Sequence, residues 1–463
     1  MPQIHPDGLP LPLRYWAIAT MGLGVSMAVM DGAIANVALP TIARDLHTDA
    51  AFSIWIVNGY QLAIMISLLP LAALGEIVGH RRIYLAGMAL FTLASLACSF
   101  SQTFLELAAA RVIQGFGAAG IMAVNTAVLR FVYPHRLLGR GIGINALVVA
   151  VSAAAGPTIA AAILSLGRWP WLFAVNVPIG IAGLVIGRIS LPLNPLSKRE
   201  FDYPSALLSA SMFGLLIASI DAVGHGESIA WFALEAIGVA LLAWALVRRA
   251  VSVAAPLLPL DLLRIPIFTL SVATSVCSFI AQMLALVSLP FLFQDKLGYS
   301  PVATGLLITP WALAIAAAAP VSGRLADRYP PGLLCTVGLV VFACGLLALA
   351  FLPAHPDVIG IVWRMALMGT GFGIFQSPNN RAMLSAAPRE RSGGASGMLG
   401  SARLLGQTTG AALVALLFAR IPQAGNEAAL LVGAGFAVLA ACVSSARLLE
   451  SPQREGSHET RDV

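Results

Sequence analysis

An all-α, polytopic membrane protein is predicted, with fourteen transmembrane helices arranged as two pseudo-symmetric six-helix bundles plus an inserted helix pair. Three observations lead there: the composition, the spacing of apolar runs and an internal repeat. Of 463 residues 59% are hydrophobic and 10% charged, with a mean hydropathy of +0.87. Soluble domains carry about 25% charged and 45–50% apolar residues. The 27 basic and 21 acidic side chains cannot cover several water-soluble cores, so most of the chain must face lipid or other helices. Cys98, Cys277, Cys335, Cys344 and Cys442 all lie in apolar stretches without CxxC or Cys/His spacing. They imply neither a metal site nor disulfides.

A helix crossing the hydrocarbon layer needs about 20 apolar residues. The first run, 15–38, follows the proline-rich MPQIHPDGLPLPLRYW and exceeds the 7–15 residues of a cleavable signal core, so it is a retained span. Charge or proline then separates 52–74, 83–101, 105–129, 141–166 and 172–191. After a polar linker come 204–222 and 229–247, and beyond the Arg248, Arg249 and Arg264 region come 268–291, 302–322, 333–353, 358–378, 394–419 and 427–446. The corresponding divisions are a 1–14 cytoplasmic N-terminus, a 15–191 bundle and 192–249 as linker with helices seven and eight. A second bundle at 250–446 and a 447–463 cytoplasmic tail complete the chain.

Cytoplasmic loops retain Lys and Arg. With fourteen spans, 20 of the 27 cations fall on the side of both termini, four (Arg44, Arg168, Lys296, Arg420) on the other, and Arg111, Arg364 and Arg403 inside spans. Both termini are therefore expected in the cytoplasm. Topology accounts for the basic balance, and no nucleic-acid partner is implied. The 25 Arg against 2 Lys and the alanine richness point to a GC-rich bacterial genome and thus to the bacterial cytoplasmic (inner) membrane.

PLAALGEIVGHRR (70–82) resembles PVSGRLADRYPPG (320–332), at an offset of 251 residues that places Glu76 on Asp327. Near that offset, RVIQGFGAAG from Arg111 matches RMALMGTGFG from Arg364. Duplicated halves predict a substrate site near the membrane midplane and transport by rocking of the halves.

The motifs resemble those of the major facilitator superfamily, and in particular its fourteen-helix drug:proton antiporter branch of multidrug and quaternary ammonium exporters. MDGAIANVALP (30–40) is similar to that branch's first-span signature. GEIVGHRR (75–82) and GRLADRYPPG (323–332) are similar to the gating loop, AAGPTIAAA (154–162) to the antiporter motif, and WPWLFAVNVPIG (169–180) to the lead-in of span six. Departures are Glu76 in place of Asp, Ile77 in place of a cation, and Ala160 and Ala161 in place of glycines. The resemblance implies export of amphipathic or lipophilic, cationic compounds driven by inward proton flow. A proton-coupled exporter of one endogenous metabolite or self-made antibiotic is the alternative. It further implies multidrug efflux with antibiotic resistance, no cofactor beyond the proton gradient, and function as a monomer in the lipid bilayer.

Asp31 is the most informative side chain, because an intramembrane carboxylate costs about 2.5–3.5 kcal/mol on insertion scales. A proton carrier must load on one side and unload on the other, and low-dielectric surroundings tune a carboxylate for that task. The alternative is a helix cap at a break near Gly32. Arg111 is its expected partner, each residue lying about 9 Å below the outer surface at 1.5 Å per residue, and the resemblance also assigns this Arg to proton coupling. Packing through backbone carbonyls is the competing role.

Glu76, Gly79, Arg81, Arg82, Asp327 and Arg328 are expected in the gating loops, where carboxylate and guanidinium could latch neighbouring helices; a solvated basic loop explains the arginines equally. Gly156 and Pro157 are the expected hinge, while Gly115, Gly117 and Gly120 suit close packing. Candidate cavity residues are Asn36, Trp55, Tyr60, Gln61, Gln114, Asn125, Gln282, Gln376, Asn379 and Asn380. Aromatic faces beside one anion suit a monovalent lipophilic cation, although Trp55 and Tyr60 also suit an interfacial belt. All seven histidines are terminal or near interfaces, and no GxxxxGK[ST] loop occurs. An enzyme or ATP-driven pump is disfavoured. A passive channel is separable from an antiporter by the proton dependence of flux.

Overall fold

The computed structural model describes residues 8–134, 137–197, 200–224, 229–252, 260–326, 328–353, 355–388 and 392–450. Among these residues the chain is helical throughout, without a strand. The helices are α1 (Leu11–Asp45), α2 (Ala50–Val78), α3 (His80–Phe100), α4 (Phe104–Val132), α5 (Leu138–Leu166), α6 (Trp171–Ser190) and α7 (Tyr203–Gly224). They continue with α8 (Ile229–Ser252), α9 (Pro266–Lys296), α10 (Pro301–Leu325), α11 (Pro331–Ala350), α12 (Val358–Ala386), α13 (Ser392–Arg420) and α14 (Gly425–Glu450). Thirteen described helices are long and apolar enough to cross a membrane; α8, with 24 residues, is the further helix in the expected fourteen.

Local signals set several helix starts. Thr103 accepts from the Glu106 amide while the Glu106 carboxylate accepts from the Thr103 amide, a capping box that satisfies orphan donors of α4. Asp357 caps α12 by accepting from the Gly360 amide at 3.1 Å. The first helix extends past residue 38, where the apolar run ends: α1 continues through Pro40 to Asp45. Proline removes one backbone hydrogen bond, but one side chain from α9 and one from α1 itself fasten this stretch. Gln294 Nε2 donates to the Val37 carbonyl at 2.9 Å, and Arg44 Nε to the Pro40 carbonyl at 3.2 Å.

By packing, the described chain forms two compact units. One comprises Met1–Leu257, Leu286–Thr309 and Ala411–Gly425; the other comprises Leu258–Ala285, Pro310–Gly410 and Asn426–Val463. Within the first unit, Gln294 bonds the end of α1, and a Cβ built on Gly305 would lie 2.5 Å from the Pro157 carbonyl oxygen of α5.

Within the first unit, α4 lies so close to α3 that a Cβ on Gly117 would overlap the Phe91 amide, and so close to α2 that one on Gly115 would stand 2.5 Å from the Tyr60 carbonyl oxygen. The second unit repeats this geometry. A Cβ on Gly371 would overlap the Phe342 amide, and one on Gly369 the Trp311 carbonyl. Small residues here let helix backbones approach. Helices α7 and α8 pack on each other, and α7 also packs on α2. Asp202 clamps the pair by accepting from Arg249 Nη2 at 2.9 Å.

Candidate functional site

Asp31 and Arg111 meet in a dry cluster of unit 1. Their side chains are 1% and 0% exposed, and Arg111 Nη1 donates to Asp31 Oδ2. Asp31 lies about 21 Å from the C-terminal end of α1 at 1.5 Å per residue, while Arg111 is about two turns into α4. The two still meet because α1 overshoots the start of α4. Arg111 is further held by Nε donating to the Ile56 carbonyl at 3.0 Å and by its guanidinium over the Tyr60 ring, 4.1 Å from the centroid. Ion pairing and backbone bonding, opposed as alternatives in the sequence reading, are thus both present.

Gln114 completes the pair. Its Oε1 accepts from Arg111 Nη1 at 2.6 Å, and its Nε2 donates to Asp31 Oδ1 at 2.9 Å and to Ser95 Oγ at 2.8 Å. Arg111 and Gln114 are three residues apart on one helix, so both reach the same carboxylate. A third donor comes from Asn176, whose Nδ2 lies 3.0 Å from Asp31 Oδ1. Asn176 starts the second segment of α6, which breaks at Val175. The preceding turn is pinned by Trp169, whose indole Nε1 donates to Asp45 Oδ2 at 2.7 Å. The span-six motif is therefore fastened to both Asp31 and Asp45 of α1. Neither Asn176 nor Ser95 had been singled out; the available signal for Asn176 was its place in WPWLFAVNVPIG.

With this geometry in view, residues 21–411 match the Major Facilitator Superfamily. The chain belongs to the Major Facilitator Superfamily. Members of this family are transporters rather than enzymes, and the protein is a multi-pass membrane transporter. Uncharacterized transporter YebQ of Escherichia coli (strain K12) is 55% identical over 456 residues, covering 98% of this chain and 100% of that one. Multidrug resistance protein Stp of Mycobacterium tuberculosis (strain ATCC 25618 / H37Rv) is 32% identical over 413 residues, covering 87% and 75%. A solved POT family transporter shares the fold with a TM-score of 0.70 at 17% identity, over 98% of both chains.

In this transporter the arginines expected in the first gating loop bind backbone. Arg81 Nη2 donates to the Arg188 carbonyl, and Arg82 Nη1 to the Val78 carbonyl at 3.2 Å. Glu76 is exposed, and its own carbonyl accepts the Ser197 amide at 2.8 Å. Gly79, at φ +115°, makes a turn that a residue with a side chain would adopt only under strain. His80 starts α3, its amide donating to Asn194 Oδ1 at 2.8 Å. Arg328 is exposed, and Asp327 lies outside the described residues. Gly156 and Pro157 sit within a continuous α5. A Cβ on Gly156 would lie 2.6 Å from that of Ala33, so this step holds α5 closely against α1.

The expected cavity residues separate. Tyr60, 2% exposed, carries Arg111 on its ring and donates its hydroxyl to the Ala28 carbonyl at 2.9 Å, so it supports the ion pair instead of presenting an aromatic face. Gln114 belongs to the same cluster. Asn125, 5% exposed, bridges α4 to α5 by donating to Asn145 Oδ1 at 2.8 Å. Asn379 is enclosed in unit 2, donating to Ser275 Oγ at 2.7 Å and accepting from Arg447 Nη2 at 2.8 Å, a node that ties α9, α12 and α14. Asn36, Gln61 and Gln282 are buried, while Trp55, Gln376 and Asn380 are partly exposed.

Proposed function

We propose that this transporter belongs to the fourteen-helix drug:proton antiporter branch and exports amphipathic, lipophilic, preferentially monovalent cationic compounds in exchange for protons by alternating access. Asp31 carries the proton and Arg111 is its counter-charge. The observation that supports this reading most is a carboxylate enclosed inside the helix bundle with three N–H donors on it. An added proton would conflict with these donors, so loading it must rearrange the cluster, which is the property a coupling residue needs. The name of Stp, a multidrug resistance protein, supports drug export, and the cationic preference rests on the sequence resemblance.

In this reading the bacterial cytoplasmic membrane holds a functional monomer with both termini in the cytoplasm and no cofactor. The loop of Glu76, Gly79, Arg81 and Arg82, with Asp327 and Arg328 in the repeat, gates the cytoplasmic side. Gly156 and Pro157 serve as the hinge. The test is flux of a fluorescent lipophilic cation in proteoliposomes under an imposed pH gradient. The expected result is accumulation that follows the gradient, collapses with a protonophore and is lost in Asp31→Asn. Accumulation that ignores the gradient, or a parent-level rate in Asp31→Asn, would show that the carboxylate does not carry the coupling.

A further inference from the structure

Every neighbour that hydrogen-bonds Asp31 is an N–H donor. Oδ2 takes Arg111 Nη1, and Oδ1 takes Gln114 Nε2 at 2.9 Å and Asn176 Nδ2 at 3.0 Å. This set suits a carboxylate and conflicts with a carboxylic acid, whose O–H must itself donate. The charged and titratable groups around the site are Arg111 from α4, Tyr60 from α2 and Cys98 from α3; from α6 come only the neutral Asn176 and Phe173. None offers Asp31 a free acceptor in the arrangement seen. Protonation must therefore turn one of them.

Oδ2 is the worse place for the proton, because guanidinium has five donors and no acceptor. At Oδ1 the choice lies between two amides. Gln114 is locked: its Oε1 accepts from Arg111 at 2.6 Å and from Cys98 Sγ at 3.6 Å, and its Nε2 also donates to Ser95 Oγ. The Ser95 hydroxyl is itself committed to the Phe91 carbonyl at 2.8 Å. Reversing Gln114 would set its NH2 against an Arg111 N–H. Asn176, 5% exposed, has its single side-chain hydrogen bond among the described residues to Asp31.

The geometry points to Asn176 as the positioning residue that reads the protonation state of Asp31. A proton from water bonds to Asp31 Oδ1, the Asn176 carboxamide turns over, and its Oδ1 accepts the new O–H. Arg111 and Gln114 keep their places, and no bond between heavy atoms changes. Asn176 begins the α6 segment after the Val175 break, and the preceding turn hangs from Asp45 through Trp169. The reversal thus acts where α6 is segmented. This inference rests on the reading of Asp31 as the proton carrier.

Infrared difference spectra of the full-length protein between alkaline and acidic pH, with asparagine labelled with carbon-13 at its side-chain carbonyl, test it. Two features are expected with one pH midpoint. One is a carboxylic-acid band that Asp31→Asn removes; the other is a labelled carbonyl band that moves to lower frequency on gaining a hydrogen bond. Asn176→Leu should abolish the second, and Asn176→Gln should remove its label while retaining the acid band of the parent. The parent spectrum shows whether the two bands share a midpoint, and where Asp31→Asn or Asn176→Leu fails to fold, Asp31→Glu and Asn176→Gln, which shift or remove the same bands, assign them. An Asp31 acid band without the asparagine shift overturns the role of Asn176 alone. Absence of an Asp31 acid band overturns the coupling reading as well.

Discussion

Helices α4 and α12 occupy equivalent places in the two repeats, yet one buries an ion pair and the other does not. Their backbones match through Gly115 and Gly117 against Gly369 and Gly371, which meet Tyr60 and Phe91 in one unit and Trp311 and Phe342 in the other. That register is 254 residues, and it puts Met365 and Met368 on Arg111 and Gln114. All four side chains are fully buried, at 0% exposure. Arg364, which the motif comparison aligned with Arg111, is displaced by one position. One residue turns a helix by about 100° at 3.6 residues per turn. Arg364 accordingly bonds the Ala348 and Gly360 carbonyls at 2.9 and 2.7 Å and lies against Trp363. The two copies share the close backbone contact and differ in chemistry, with Arg111 and Gln114 in one and Met365 and Met368 in the other.

If the difference between the two helices is functional, the largest effect should come from Asp31→Asn, which keeps size and polarity but removes the titratable proton. Proton-driven export in everted vesicles should fall to background while the protein still inserts, and Asp31→Glu should retain part of it. Next in size is Arg111→Met, which imposes the α12 residue on α4. Stranding one partner of a buried ion pair costs about 3–5 kcal/mol, so thermal unfolding in detergent near neutral pH should shift far more than for Arg364→Met. The latter loses hydrogen bonds of about 1 kcal/mol each. Equal shifts for the two would break the contrast.

The shared backbone contact gives a matched pair of intermediate size. Gly117→Ala and Gly371→Ala each force a methyl group onto a neighbouring helix, at about 1–3 kcal/mol for overpacking. Both should lower the melting temperature by similar amounts, and tolerance of only one would show that the repeat is not equivalent there. The smallest effect lies outside both copies, at Asp202 before α7. Burial pushes its carboxyl up, but hydrogen bonds from Ser205 and Arg249 outweigh this and hold it below the ordinary carboxylate value. Its contribution is present above the unfolded carboxylate pKa of about 3.9 and is lost as pH falls through the depressed folded value. Asp202→Asn should weaken the α7–α8 clamp by no more than about 1 kcal/mol. The loss, read from cysteine accessibility at the start of α7, should be present at neutral pH and vanish in strong acid.

Hydropathy and charge along the chain determined that this is a polytopic helical membrane protein, about how many helices it has and which family its motifs resemble. They also singled out Asp31 and Arg111, because a charge inside an apolar run stands out wherever the run folds. Those properties are sums over neighbouring residues and survive without knowledge of the fold. Tertiary structure decided which polar side chains meet: that Asn176 reaches Asp31 across 145 positions, that Tyr60 supports Arg111, that α1 continues through Pro40, and that Arg364 turns away. A helix apolar on all sides carries no stripe to show which face is inward. Rotation by a single residue then changes every partner while leaving the hydropathy of the span unaltered.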